Sequence, residues 1–245
     1  MNSKLILEQQ LAIDYNCTLA EVQGSKNMIK SKKQNTGARP VGDADSMLKI
    51  ICYGGKLLVM ADEKLLEWCR EKLEDFDAAW ISEPQTLCAI HEKLKEYGQC
   101  LADTHHYYIP VSGIEFVEKR FETEWYMEKE ILRFEGDERF DEAFLFDERI
   151  PDMVAVAAVE QGKILGMAGA TADCGNMWQI GVNVTEEGKG KGVGTYVTAL
   201  LKNKILEMGK VPFYSTVESH IKSQRVAVQA GFMPAFYEIY SKISK

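Results

Sequence analysis

The eight residues Gly188-Lys189-Gly190-Lys191-Gly192-Val193-Gly194-Thr195 are the part of this chain whose types and spacing point most directly to chemistry. Glycine at every second position lets a backbone turn tightly and brings its N–H groups close to a ligand. The residues that follow keep helical spacing: Val193, Tyr196, Val197, Leu200, Leu201, Ile205 and Met208. The loop therefore opens a helix, and a helix start adds unpaired amide donors and a partial positive charge. Lys189 and Lys191 bring two full charges to a chain whose net charge is −8. Together these are the parts of a pyrophosphate site. A P-loop is excluded, because no glycine here precedes Lys and then Ser or Thr. A dinucleotide fingerprint fails at its last glycine whether counted from Gly188, Gly190 or Gly192. Taken alone, the loop also fits a solvated glycine–lysine turn.

The elements that must position this loop follow from the pattern around it. Met153 to Val159 predicts a strand, Gln161-Gly162 a turn, and Ile164 to Ala172 the returning strand. Asn176 to Thr185 predicts a third strand, with Trp178, Ile180, Val182 and Val184 on one face. After the helix of residues 193–208, Gly209 is a stop. Pro212 to Val217 then predicts a strand, Ser219 to Ala230 a helix ended by Gly231, and Ala235 to Ser241 a last strand. Upstream, Phe121 to Phe134 predicts an amphipathic helix carrying Trp125, Ile131 and Leu132.

From about Asp152 to Tyr240 the chain resembles the GCN5-related N-acetyltransferase (GNAT) superfamily. Lys189-Gly190-Lys191-Gly192-Val193-Gly194 matches its [QR]-x-x-G-x-[GA] motif, with Lys in place of Arg or Gln. Ile180-Gly181-Val182-Asn183-Val184 matches the apolar strand before it. Ser223 to Phe232 matches a second motif, a helix closing on Gly-Phe. The resemblance implies an α+β fold, with a mixed, splayed β-sheet flanked by helices in the carboxy-terminal half, after a smaller amino-terminal α/β domain. It implies acetyl-CoA as co-substrate. Val182, Asn183 and Val184 would meet the pantetheine arm, and Lys189, Gly190, Lys191, Gly192, Val193, Gly194 and Thr195 would cradle the pyrophosphate. His220, where many members carry Asn, and Ser223 join the coenzyme-binding set. The implied reaction is acetyl transfer to a primary amine, small molecule or peptide, directly within a ternary complex. The chain departs from the family at two further positions. Ala227 stands where many members carry a tyrosine that donates to the CoA sulfur, and Ser215 where a glutamate is frequent. Glu218 is the substitute candidate for the base, ahead of His220. Tyr214, Tyr237 and Tyr240 are candidates for the acid. Losing both usual residues also fits a non-catalytic acyl-CoA-binding or regulatory module. Lys189 keeps the charge of Arg but not its fork.

The amino-terminal half carries no comparable signature. Leu5 to Ile13 predicts a helix, and Thr18 with Glu21 a capping box opening a short second one. Lys26 to Gly42 reads as an exposed loop or ragged strand. Asp43 to Met60 reads as a hairpin turning at Gly54-Gly55. Asp62 to Asp75 and Pro84 to Tyr97 predict helices, and His105 to Pro110 a short strand before a turn. Asp14-Tyr15-Asn16-Cys17 resembles the amino-terminal region of a bacterial group of GNAT proteins. Punctuation by Pro110 and Gly113 sets the boundary, giving domains of residues 1–110 and 111–245. A protein-interaction role for the first half stays open.

Composition narrows the rest. In 245 residues, 46% hydrophobic and 27% charged, the chain can build its own core. Thirty-seven acidic against 29 basic residues argue against a nucleic-acid partner. Six cysteines with no C-x-x-C pair, and a paired His105-His106 without a recognisable third ligand, predict reduced thiols and no metal. No leader-like run opens the sequence and no apolar stretch is long enough for a bilayer, so a cytoplasmic protein without a membrane partner is expected. A homodimer is an open possibility.

Overall fold

The computed structural model describes residues 2–40 and 45–244. Gly42 and Asp43, where the polar loop and the hairpin were expected to meet, lie outside the described residues, as does Met1. The elements are α1 (Ser3–Asp14), α2 (Leu19–Gln23), β1 (Met28–Ser31), β2 (Leu48–Tyr53), β3 (Lys56–Ala61), α3 (Glu63–Leu73), α4 (Pro84–Lys95) and β4 (Gln99–Pro110). They continue with β5 (Glu122–Met127), α5 (Glu128–Ile131), β6 (Asp152–Glu160), β7 (Lys163–Thr171) and β8 (Met177–Val184). The last are α6 (Val193–Glu207), β9 (Val211–Val217), α7 (Ile221–Gln229) and β10 (Phe232–Ile243). Two compact units form, one from Lys4–Tyr107 with the chain from Ala235 on, the other from Tyr108–Pro234. The crossing falls inside β4 and again inside β10. The sequence places residues 111–245 together. In the structure the chain from Ala235 on goes with the first unit, because Phe236 to Tyr240 pair antiparallel with Tyr53 to Lys49 of β2.

In the first unit the strand order is β1–β3–β2–β10–β4. The β2–β3 hairpin turns on Gly54 and Gly55, at φ +59° and +79°, where side chains are disfavoured. The Thr18–Glu21 capping box closes both ways, from Glu21 N–H to Thr18 Oγ1 at 3.2 Å and from Thr18 N–H to Glu21 Oε2 at 2.8 Å. Leu65, Leu66, Cys69 and Leu73 of α3 and Ile90 and Leu94 of α4 cover Leu48, Ile50, Leu57 and Val59. Within Lys26 to Gly42, Met28–Ser31 is a strand paired parallel with β3. His105 to Pro110 is the end of a 12-residue strand, with no turn inside it.

The second unit is a β5–β6–β7–β8 antiparallel meander, with β9 parallel to β8. A parallel neighbour needs a crossover, and α6 supplies it. β6 explains its unbroken apolar run by being buried on both faces. Val154, Val156 and Ala158 pack beneath α6 with Val193, Val197, Leu201 and Ile205. Ala155, Ala157 and Val159 pack on the other face against Phe134, Phe140 and Phe144. The expected helix over residues 121–134 is corrected: residues 122–127 are strand β5, and helix is confined to α5 and a 3₁₀ turn ending at Phe134. Pairing decides here, since Glu122 to Met127 run antiparallel to Val159 to Val154 of β6, with Tyr126 buried in the core. No helix among the described residues is long and apolar enough to cross a membrane. Among the described residues there is also no group of three His, Cys, Asp or Glu able to hold a metal ion.

Candidate functional site

β8 and β9 pair only from Met177↔Val211 to Ile180↔Tyr214. β8 runs on to Val184 and β9 to Val217, so the two strands part after Ile180 and Tyr214. The freed edge of β8 leads directly to the glycine-rich loop. Gly188 N–H donates to Thr185 O at 3.0 Å and Lys189 N–H to Glu186 O at 3.3 Å, which folds the chain back in a 3₁₀ turn. Gly188 is buried, and a Cβ there would run into the Leu165 carbonyl of β7. Gly192 is the N-cap of α6 at φ +77°, ψ +15° and offers no side chain to its amides. The first helical bond is from Tyr196 N–H to Gly192 O at 3.1 Å, so the amides of Val193, Gly194 and Thr195 lie ahead of it. Gly194 lets α6 come close: a Cβ there would lie 3.2 Å from Val184 Cγ2 and 3.4 Å from Val226 Cγ2.

Three cations surround this helix start. Lys189 is ion-paired with Glu186, and Lys191 Nζ lies 2.9 Å from Glu160 Oε2. Both pairs are exposed and worth little, so their partners exchange easily. The third cation, Arg120, has no counterpart among the residues singled out in the sequence. Its Nη2 donates to Lys191 O at 3.2 Å, and its Nη1 lies 3.0 Å from where a Gly192 Cβ would sit. An N-cap without a side chain, amides ahead of the helix ladder and nearby cations fit a diphosphate.

The other expected residues fall as follows. Val182 and Val184 pack on the α6 face of the sheet. Asn183 points elsewhere: its Oδ1 accepts from Glu142 N–H at 3.0 Å and Ala143 N–H at 2.8 Å, and its Nδ2 donates to Asp141 at 2.9 Å. It clamps the 141–143 turn across β8. Gly181 permits that crossing, since a Cβ there would meet the Glu142 carbonyl. Ser223 Oγ and Tyr214 Oη are 2.8 Å apart. Tyr214 is buried, and burial first, with the Glu142 charge adding, pushes its phenol up despite the Ser223 hydroxyl. The ring therefore keeps its proton across the neutral range. Glu218 is half-buried on the turn between β9 and α7, where its carbonyl accepts from Gln224 Nε2 at 2.6 Å. His220 is exposed at the N-cap of α7. Ala227 is fully buried in the core beneath α6, and Ser215 Oγ accepts from Gln179 Nε2 at 3.0 Å.

No family model matches the chain, and no curated protein matches it. Among solved structures, it is similar to a GCN5-related N-acetyltransferase-like protein from Streptococcus suis 89/1591, at 14% identity, TM-score 0.51, over 95% of this chain and 97% of that one. It is also similar to an acetyltransferase from the GNAT family from Colwellia psychrerythraea, at 15% identity and TM-score 0.44, over 59% of this chain and 57% of that one. A GCN5-related N-acetyltransferase from Kribbella flavida aligns at 14% identity and TM-score 0.45, over 60% and 61%. The fold is GNAT-like, in the α+β class, and the Streptococcus suis likeness runs through both units.

Proposed function

We propose that this chain is an acyl-CoA-dependent N-acetyltransferase that moves an acetyl group from acetyl-CoA to a primary amine by direct transfer in a ternary complex. The observation that carries the reading is the parting of β8 from β9 immediately before an uncapped helix start. The coenzyme would supply an acetyl thioester. The amides of Gly190 and of Gly192 to Thr195, with the side chains of Lys189 and Lys191, would hold its diphosphate, the Lys191 amide being given to Gly188 O. The backbone of Val182, Asn183 and Val184, on the edge turned from β7, would align the pantetheine arm and polarise the thioester carbonyl. His220 and Ser223 would flank the arm from α7.

Two protons must be handled. The ammonium loses one before attack, and the departing thiolate gains one. Glu218 is the proposed base, through a water. Tyr214, kept neutral by burial, is the proposed acid, oriented by Ser223. A small-molecule or peptide amine is the acceptor, and cationic before it reacts.

Calorimetric titration with acetyl-CoA tests the reading, with a rise in melting temperature expected alongside binding. No heat and no shift at millimolar acetyl-CoA would remove it. The second reading, a non-catalytic acyl-CoA-binding module, is favoured by Ala227 filling the core where a tyrosine is usual. Following CoA thiol release against a panel of primary amines separates the two. Binding without turnover on any amine would favour the module.

A further inference from the structure

Lys202 is a charged residue that the proposed reaction does not use, and its side chain is only 1% exposed. It lies on α6, on the outer turns away from the glycine loop, and its Nζ donates to Glu115 Oε2 at 2.6 Å. Gly231 makes room for it, since a Cβ there would collide with Lys202 Nζ and lie 2.6 Å from Glu115 Oε2. Glu115 is held twice more. Its N–H donates to Asn203 Oδ1 at 3.2 Å, and its carbonyl accepts from Asn203 Nδ2 at 2.6 Å. Ser112 Oγ donates to its other carboxylate oxygen at 2.7 Å. A segment without regular structure is thereby tied to one place on α6.

That segment is a strap. It begins where Val111 N–H donates to Gly231 O at 3.0 Å. It passes Glu115, packs Val117 into the core beneath α6, and ends with Phe121 edge-on to Tyr196 at 5.3 Å between ring centroids. It thus runs antiparallel to α6, from Lys202 and Asn203 back to the helix start. Arg120 comes at its end, over Lys191 O and Gly192. A cation at the positive end of a helix is placed against the helix dipole. The same placement suits an anion shared between the amides and the guanidinium.

We infer that Arg120 is a further diphosphate-binding residue, delivered to the head of α6 by a strap that Lys202 and Asn203 latch through Glu115. The inference rests on the acyl-CoA reading of the loop. It supplies from another segment the planar, two-pronged donor that Lys189 lacks. Arg120 is the binding group, and Glu115, Lys202 and Asn203 are positioning residues.

The test is calorimetry of wild type, Arg120→Ala, Arg120→Lys and Glu115→Gln, each with CoA and with dephospho-CoA, which keeps the diphosphate but lacks the 3′-phosphate. Arg120→Ala is expected to weaken both ligands by the same factor, roughly 10- to 100-fold, the range for hydrogen bonds to a charged group. Arg120→Lys should recover part of it. Glu115→Gln should weaken both ligands by a smaller common factor and speed amide hydrogen exchange at residues 112–120. Unchanged affinity of Arg120→Ala for both ligands would overturn the inference and leave the acyl-CoA reading standing. A loss confined to CoA would also overturn it, by placing the guanidinium on the 3′-phosphate. No binding of either ligand by the wild type would remove the reading itself, and this inference with it.

Discussion

Two clusters of charge, one in each unit, use the same chemistry in opposite ways. In the first unit Arg39 is closed in, with its side chain 2% exposed. Its Nε lies 2.6 Å from Asp14 Oδ2, its Nη2 3.3 Å from Glu238 Oε1, and its guanidinium centre 5.3 Å from the rings of both Tyr107 and Phe236. Tyr15 Oη donates to Glu238 at 2.8 Å, and Gln10 Nε2 and Arg39 N–H both donate to Asp14 Oδ1 at 2.8 Å. Those charges and donors face one another. In the second unit the cations at the glycine-rich loop lie on the surface, and the first amides of α6 lie ahead of the helix ladder. The enclosed cluster is structural, whereas the proposed site presents exposed cations beside helix-start amides that the helix ladder does not use.

The sharpest way to break this contrast is to open the closed cluster. Arg39→Met leaves Asp14 and Glu238 buried without their cation, and breaking a buried pair from one side costs about 3–5 kcal/mol. Denaturant unfolding should show that loss, while the folded fraction binds acetyl-CoA with wild-type affinity. A small stability change would mean the cluster is not structural. The reverse experiment is Gly192→Asp. A carboxylate there would occupy the amides of α6 and pair with Arg120, and the left-handed backbone adds strain of roughly 1–2 kcal/mol. Acetyl-CoA affinity should fall by about a hundredfold or more, with only a modest change in unfolding free energy. Wild-type affinity in that variant would contradict the loop assignment.

Much of the second unit was legible in the sequence because its signals are local. The glycine alternation, the α6 ladder and the two-faced apolar run of β6 each report their own geometry. What was not legible is set by distant partners. Residues 122–127 carry enough apolar spacing to read as helix, and only pairing with β6 makes them a strand. Asn183 sits in the matching position for a coenzyme contact, yet the 141–143 turn takes its side chain. Arg120 had no signal at all, because the strap lacks periodicity and its path is fixed by Glu115, 87 residues away from Lys202 in sequence. The buried Arg39 cluster was invisible for the same reason, joining residues 199 apart.

Tyr214→Phe sharpens the comparison on the catalytic side. It removes the hydroxyl that faces Ser223 and leaves the ring in the core. If Tyr214 is the acid, turnover should fall by about a hundredfold to a thousandfold, the lower part of the range for a positioned proton donor. The dissociation constant for acetyl-CoA should stay at its wild-type value. An equal fall in coenzyme affinity would make the hydroxyl a binding group, and no change in turnover would remove it from the mechanism.

The smallest expected effect lies between the two clusters in kind, since Glu115–Lys202 joins a buried cation to a half-exposed carboxylate. The Lys202 hydrogen bond, with Ser112 next, holds the Glu115 carboxyl below its ordinary value of 4.5. A carboxylate whose folded-state value is lowered contributes stability that is fully present above the unfolded value, and that stability is lost as pH falls through the folded one. Glu115 is 48% exposed, so water screens the pair and its contribution at neutral pH is about 1 kcal/mol. Glu115→Gln should therefore be less stable than wild type at pH 7, and the gap should narrow as pH is lowered below 4.5. Unfolding of both proteins across that range measures it. A gap that stays constant down to acid pH would show that the strap is held by the Asn203 backbone clamp, with the ion pair adding nothing. In that case Arg120 would owe its position to neutral hydrogen bonds.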